Sequence, residues 1–507
     1  MPEHNFPLHP AQQDVYMDQL LNIDSPQYGI GGYIVLKGNL NKEKFHEAVN
    51  SVPQVFDAFK MRFDLGAQDL LCHYDSDCDI AGLNELDFSE GKDPAGDAKE
   101  WMQGRFNTPF LLTKNNLPFE QFLLKITDQE HWFFGKYHHL ITDGYGFIVY
   151  VQYIAGKYSA LATGNELSFN YPQYREAALN ANEYYHSASY QEDGKYWKDK
   201  IPVKPEKLLQ KRYFSYTSED KKGATYTLNL SEEQRNRLEA IQQISKAGLQ
   251  QLTIAALLIY HGKISTSTEF ILGVPIHKRG SRQLRNTVGM FSGILPFKGN
   301  YNKEQTLADF LKEISNTQRS DYRHQNYLIG DLSRDIKINS SEGYLCEVLV
   351  NYEPLDFELN FGEEIAANIL RLANDDERNP LQLCWRDYGK QQALQLQVQF
   401  LYEYFTEHEI ELLARRVLFI IQQFPDKLDQ CIDSINILPA QEREQLLVAF
   451  NATAADYAKE KSIVDLFEVQ AAETPNATAI VFEEAQLTYK ELNERSNQVA
   501  RYLQKQG

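Results

Sequence analysis

The sequence predicts a mixed α/β protein built as two successive halves, with a short third unit after them. Three observations carry this reading. Strand-length β-branched and aromatic runs alternate with segments apolar at helical spacing. A polar stretch from Ser187 to about Thr217, rich in Lys, Glu and Pro, interrupts that alternation. Past ILPAQEREQLLVAFNAT the pattern changes to a short helix, a polar linker and a new start at SIVDLFEVQ. The expected divisions are 1–180, 181–438, a linker 439–461, and 462–507.

The first half opens with a helix at Ala11–Leu21 and a strand at Gly32–Leu36, where YIVLKG is β-branched and ends in Gly. NLNKEKFHEAVNSV follows as a helix with Asn41 at its N-cap. FKMRFDL predicts a strand, and PFEQFLLKITDQEHWFFGKYHH predicts two more joined by the turn TDQE. After Asp143 comes a helix in which Phe147, Val151, Ile154, Tyr158 and Leu161 share one face. The second half begins with the strand TYTLNL and a helix capped by Ser231, with acidic residues in its first turn. LTIAALLIYHGKI is apolar almost all round and predicts a buried helix capped by Thr253. EFILGVPI, GILPFKG and CEVLVNYE supply strands, and EHEIELLARRVLFIIQQF an amphipathic closing helix. The halves show no sequence repeat.

At 507 residues the chain has room for two to four compact units, each with its own core. Hydrophobic residues make up 43% and charged residues 24%, a globular balance, and 30 Tyr with 28 Phe can fill large cores or apolar channels. A formal charge of −19 argues against a nucleic-acid partner, whose affinity draws on Lys and Arg neutralising phosphates. The five cysteines, Cys72, Cys78, Cys346, Cys384 and Cys431, are odd in number and scattered, which fits a reducing compartment. Cys72, His73 and Cys78 have no second ligand pair at zinc spacing, so no metal site is expected. MPEHNFPLHPAQQ lacks a signal-peptide pattern, and no apolar run reaches membrane-spanning length; a soluble, cytoplasmic protein with no membrane partner is expected.

The strongest chemical signal is His138-His139-Leu140-Ile141-Thr142-Asp143-Gly144, where a strand gives way to a helix. An imidazole titrates near neutral pH and can position or remove the proton of an attacking amine. Gly144 and Gly146 would let a substrate approach the backbone. The same residues also read structurally, with Asp143 or Thr142 capping the helix and the histidines satisfied in a core. The stretch alone leaves both readings open.

HHLITDGYG resembles the HHxxxDG signature of the condensation domains of nonribosomal peptide synthetases, and further segments resemble that family in order. PAQQDVYMDQ (10–19) is similar to its first motif, with Asp14 where an Arg is usual. FDAFKMRF (56–63) is similar to the second, with Lys60 replacing an Arg. GVPIHKR, ending at Arg279, and VGMFSGILPF (288–297) resemble the next two, with Gly293 in place of an Asn. RHQNY (323–327) and DDERNPL (375–381) complete a resemblance that spans about 7–440. It implies an α/β fold of two chloramphenicol-acetyltransferase-like lobes arranged as a V-shaped pseudo-dimer. It also implies that His139 handles the acceptor amine in a tunnel between lobes, with His138 beside it in a mainly structural place. The Gly144 N–H would face the oxyanion, and Asp143 would form a structural salt bridge with Arg279. Gly146 stands where the family usually has Ser. Retention of both histidines favours plain condensation over cyclisation, where paired aspartates replace them.

LTYKELNERSNQVARYL (487–503) resembles the first core motif of adenylation domains, and FNAT (450–453) the linker before it, so 462–507 is expected to be the truncated start of an adenylation domain. No Gly-rich ATP loop and no carrier-protein Ser motif occurs in the chain. The resemblance implies amide-bond formation with no tightly bound cofactor, on phosphopantetheine-linked or CoA-linked substrates. The implied partners are a downstream peptidyl carrier protein, the adenylation domain of the same synthetase, and acyl-CoA or an upstream acyl carrier protein. Because the motif series starts at Pro10, the donor is expected in trans, as for an N-acylating starter domain. The competing readings are an internal condensation fed by a separate carrier, a free-standing CoA-dependent acyltransferase, whose usual DFGWG-like motif is absent, and a noncatalytic docking domain.

Overall fold

The computed structural model describes residues 5–65, 71–74, 82–165, 170–212, 222–338, 344–355, 357–373, 376, 379–389, 392–456 and 459–507. The chain forms two compact units, Met1–Pro439 and Ala440–Gly507.

The larger unit is organised on two large sheets, beside a small antiparallel one of Asn5–Pro7, Leu71–Tyr74 and Met61–Arg62. The first has five strands in the order Ile365–Arg371, Gly29–Gly38, Glu130–His138, Phe119–Thr127, Asn84–Asp87, antiparallel except for the last pair. Its central strand, Glu130–His138, is paired on both sides, and residues 131–138 are all buried. The second sheet has six strands in the order Gly293–Asn300, Glu269–Ile276, Val348–Pro354, Leu381–Asp387, Gln395–Leu401, Gly223–Asn229. The helix Leu249–Ile264 packs in the core of that half, with ten of its residues buried.

The division expected at 180/181 is crossed in space. The strand Ile365–Arg371 belongs by sequence to the second half but pairs with Gly32–Gly38 of the first sheet. Val288, Met290 and Phe291 likewise join the first half's core. Gly31 and Gly32 allow the close approach: a Cβ on Gly31 would lie 2.1 Å from the Gly135 carbonyl oxygen, and one on Gly32 2.2 Å from that of Leu370.

Three local expectations need correction. FKMRFDL is mostly not a strand: Asp57–Lys60 is a 3-10 turn, leaving only Met61–Arg62 extended. The cause is the Asp57 carboxylate, which accepts from the N–H groups of Tyr174 and Arg175 at 2.7 and 2.9 Å. Thr253 is no cap; Gly248 is, and the Thr253 hydroxyl sits inside the helix, donating to Leu249 O and accepting from Trp385 Nε1 at 2.7 Å. The stretch from Ser187 is no simple spacer either, since Ser187 caps a helix, Ala188–Lys200, whose Trp197 is fully buried. The end of that stretch, from 213, lies outside the described residues.

The smaller unit holds the helices Ala440–Leu447, Ile463–Glu473 and Tyr489–Gln506 and the hairpin Thr478–Phe482 with Ala485–Thr488. No helix among the described residues is long and apolar enough to cross a membrane.

Candidate active site

The strand Glu130–His138 ends in a tight turn that sends its two histidines to different places. His138 is buried, its Nδ1 accepting from the Leu140 N–H at 3.1 Å, which leaves Nε2–H to donate to Gln19 Oε1 at 3.2 Å. Burial, with the neighbouring His139 and Lys136 charges adding to it, pushes its pKa down to about 3. His138 is therefore a neutral residue that locks the turn, with both ring nitrogens engaged by protein. Gln12, from the motif helix Pro10–Leu21, braces the same turn by donating to Leu140 O at 2.6 Å.

The His139 main-chain N–H donates to Tyr28 O at 2.8 Å, and its side chain leaves the sheet half-buried. The imidazole meets Tyr28 edge-on, centroids 6.4 Å apart, and its Nδ1 lies 3.1 Å from Met290 Sδ.

Asp143 caps the helix Gly144–Thr163 by accepting from the Gly146 N–H at 2.8 Å. The same carboxylate accepts from Arg279 Nη2 at 2.7 Å and from the N–H groups of Phe291 and Ser292 at 3.1 Å each. Both charged side chains are sealed from solvent, at 2% and 0% exposure, so the pair lies wholly inside the protein. Arg279 also donates to Gly289 O at 3.1 Å and Leu284 O at 3.3 Å, and its guanidinium lies 4.3 Å from the Phe291 ring centre. The capping reading and the ion-pair reading thus hold together.

Gly144 begins the helix, is exposed, and has open space beside it: the nearest atom to a Cβ there is Arg371 Nη2 at 3.9 Å. Its N–H is among the unpaired donors of a helix start, where negative charge is stabilised. Gly146 departs from expectation. It is buried, and a Cβ would lie 2.6 Å from Thr142 Oγ1 and 3.2 Å from Arg279 Nη2, so protein rather than substrate occupies that space.

The structure gathers residues that sequence reasoning did not assign: Tyr28, Met290, and Arg371, which the crossing strand delivers beside Gly144. The RHQNY segment lies elsewhere and is structural; His324 stacks on Tyr196 with centroids 3.9 Å apart and contacts Asp193 at 2.7 Å. Of DDERNPL, residues 375, 377 and 378 lie outside the described residues, as does Cys78. Among the described residues no cluster of His, Cys, Asp and Glu could hold a metal ion.

The comparisons with known proteins agree on the class. The condensation-domain family matches residues 2–447, and the AMP-binding enzyme family matches 467–507. The chain belongs to the condensation-domain family, a class of amide-bond-forming acyltransferases, and continues into a short adenylation-type segment. It is 26% identical over 499 residues to a dimodular nonribosomal peptide synthase of Bacillus subtilis (strain 168), covering 98% of this chain and 21% of that protein. It is also 26% identical to gramicidin S synthase 2 of Brevibacillus brevis, over 100% of this chain and 11% of that protein. The chain thus spans about a fifth or less of these relatives. Its fold matches the starter condensation domain of rhizomide synthetase RzmA, with a TM-score of 0.72 at 24% identity, covering 86% of this chain and 100% of that one. A variant of that domain in complex with C8-CoA gives a TM-score of 0.74 at 24% identity, covering 86% and 98%. The first condensation domain of the CDA synthetase matches with a TM-score of 0.72 at 18% identity, covering 86% and 100%.

Proposed function

We propose that this domain joins an acyl thioester to the α-amine of an aminoacyl group on a downstream peptidyl carrier protein, and that it does so as an N-acylating starter domain. Residues 1–180 and 181–438 are its two lobes, the second of which lends the strand Ile365–Arg371 and the 288–291 segment to the first. The observation that carries the reading is the half-buried His139 ring, standing at the mouth of a strand-to-helix turn beside the exposed start of a helix. The amine attacks the thioester carbonyl while the His139 ring orients it and takes its proton. The carbonyl oxygen gains negative charge beside the Gly144 N–H and the Arg371 guanidinium. Collapse of the tetrahedral species forms the amide and expels the thiolate, which regains the proton as a thiol. Aminolysis of a thioester is downhill, so the protein's contribution is orientation and charge placement.

C8-CoA bound to a variant of the RzmA starter domain supports CoA thioesters as the first donors to try. The test offers the protein acyl-CoA donors of graded chain length, or the same acyl groups on a carrier protein, with a leucyl- or threonyl-loaded carrier as acceptor. N-acyl product is followed by mass spectrometry. Product from acyl-CoA supports the starter reading, whereas product from the carrier-bound donor alone replaces it with an internal condensation. His139→Ala is expected to lower the rate about 10²–10⁴-fold; an unchanged rate removes the proposed centre.

A further inference from the structure

We propose that Met290 is a positioning residue for His139, its thioether accepting the Nδ1–H so that the neutral imidazole holds its lone pair on Nε2. The inference rests on the reading of His139 as the reaction centre. Its first support is the 3.1 Å contact between Nδ1 and Sδ. Sulfur is a weak acceptor, and an imidazole nitrogen facing it gains only by presenting its N–H.

The second support is how firmly the main chain around Met290 is held. Gly289 O accepts from Arg279 at 3.1 Å, Met290 O accepts from the Tyr174 hydroxyl at 2.6 Å, and the next two N–H groups donate to Asp143. Met290 itself is only 5% exposed, and the Ser292 hydroxyl donates to the same sulfur at 3.6 Å. A methionine has three rotatable side-chain bonds and would ordinarily adapt to its surroundings; this one is fixed at both ends. The buried Asp143–Arg279 pair thereby acts on His139 through one intermediate residue, by holding the segment that presents the sulfur. A thioether partner also differs chemically from the carboxylate that often orients a histidine. It selects a tautomer without adding a negative charge that would raise the ring's basicity.

The test uses the full chain labelled with ¹⁵N-histidine, with long-range ¹H–¹⁵N correlation spectra at pH 7.5 and the His139 signals assigned by their loss in His139→Ala. The wild-type protein is expected to show Nδ1 protonated and Nε2 unprotonated; the opposite tautomer overturns the proposal without recourse to any further variant. Met290→Leu, nearly volume-conserving, is expected to mix or reverse the tautomers and lower kcat about tenfold with KM little changed. Met290→Gln, which restores an acceptor, should recover the tautomer and part of kcat. A leucine variant that keeps the wild-type tautomer, or whose loss is confined to KM, sinks the idea. The spectra read the tautomer whether or not the protein turns over, so failure of the His139 reading, seen as a fully active His139→Ala, is told apart from failure of this one.

Discussion

The Asp143 carboxylate accepts four donors: the Gly146, Phe291 and Ser292 amides and the Arg279 guanidinium. Removing Arg279 leaves a buried anion with three amides but no counter-charge, a loss of about 3–5 kcal/mol. Arg279→Ala is expected to lower the melting temperature of the Met1–Pro439 unit by about 3–5 °C and to reduce activity with it; calorimetry beside the condensation assay checks both. Gly146 is constrained from the opposite direction, because the space a side chain would need is occupied. Gly146→Ser, which installs the family's usual residue, drives a Cβ to 2.6 Å from Thr142 Oγ1 and should cost about 1–3 kcal/mol. Thr142→Ala in the same chain is expected to recover part of that loss, and additivity of the two changes would show the crowding to be absent. Three buried histidines set the acid limit. Burial holds His9 and His138 down to about 3 and His261 to about 4, against a usual 6.5. Folded, they stay neutral where the unfolded chain binds protons, so their stabilisation is complete above pH 6.5 and is lost as pH falls toward 3. Near pH 5, unfolding should take up about three protons from this set, a slope of about 4 kcal/mol per pH unit. Burial raises the Asp57 and Asp331 pKa values and so works in the opposite sense, closer to the carboxylate range. A melting temperature flat between pH 7 and 5 would contradict the histidine account.

At the scale of elements, two departures from the family pattern meet at one side chain. Lys278 sits in a left-handed conformation, φ 49°, and its stem overlies Gly293: a Cβ there would lie 2.9 Å from Lys278 Cε, so an Asn would have to displace the end of the lysine side chain. Asp14, where an Arg is usual, and Asp331 are the charges that favour its ammonium, although burial prevails and brings the Lys278 pKa down to about 8. Asp14→Arg would set a cation beside an amine already short of solvation. It should destabilise the protein by about 1–2 kcal/mol and be largely rescued by Lys278→Met; equal losses with and without Lys278 would refute the charge argument. These contacts also mark the boundary of what the sequence reveals. The His138–Gly144 turn was legible because strand periodicity, a capping Asp and helical periodicity follow one another within a few residues. Arg279 entered through a family resemblance, since nothing local couples residues 136 positions apart. Met290, 151 positions from His139, had no local signal at all. The crossing strand IAANILR was equally silent, because Ala-Ala-Asn is poor strand material; its extended form comes from pairing with a strand whose glycines let the backbones approach. The strand Gln395–Leu401, by contrast, alternates buried and half-buried residues as QLQVQFL does polar and apolar ones, so its sequence does carry the strand signal.

Across the whole molecule, cohesion is divided unevenly between the two compact units. Every residue of the three apolar cores lies at or before Ile435, and beyond Pro439 Ala471 alone among the described residues is buried. The smaller unit leaves Ile463, Val481, Phe482 and Leu503 between 60% and 85% exposed, although its helices are well capped at Ser462 and Thr488. Caps and propensity define helices but supply little stability without a buried face. The AMP-binding enzyme family matches 467–507, and the exposed apolar residues are what such a segment would bury against the rest of an adenylation domain. Removing residues 440–507 is therefore expected to leave the melting temperature of the condensation unit within about 2 °C, since no core residue is lost. The excised 440–507 segment should show weak helicity and no cooperative melt on its own. Circular dichroism of both pieces checks this, and a truncated condensation unit that melts many degrees lower would mean that its stability depends on residues outside the three cores.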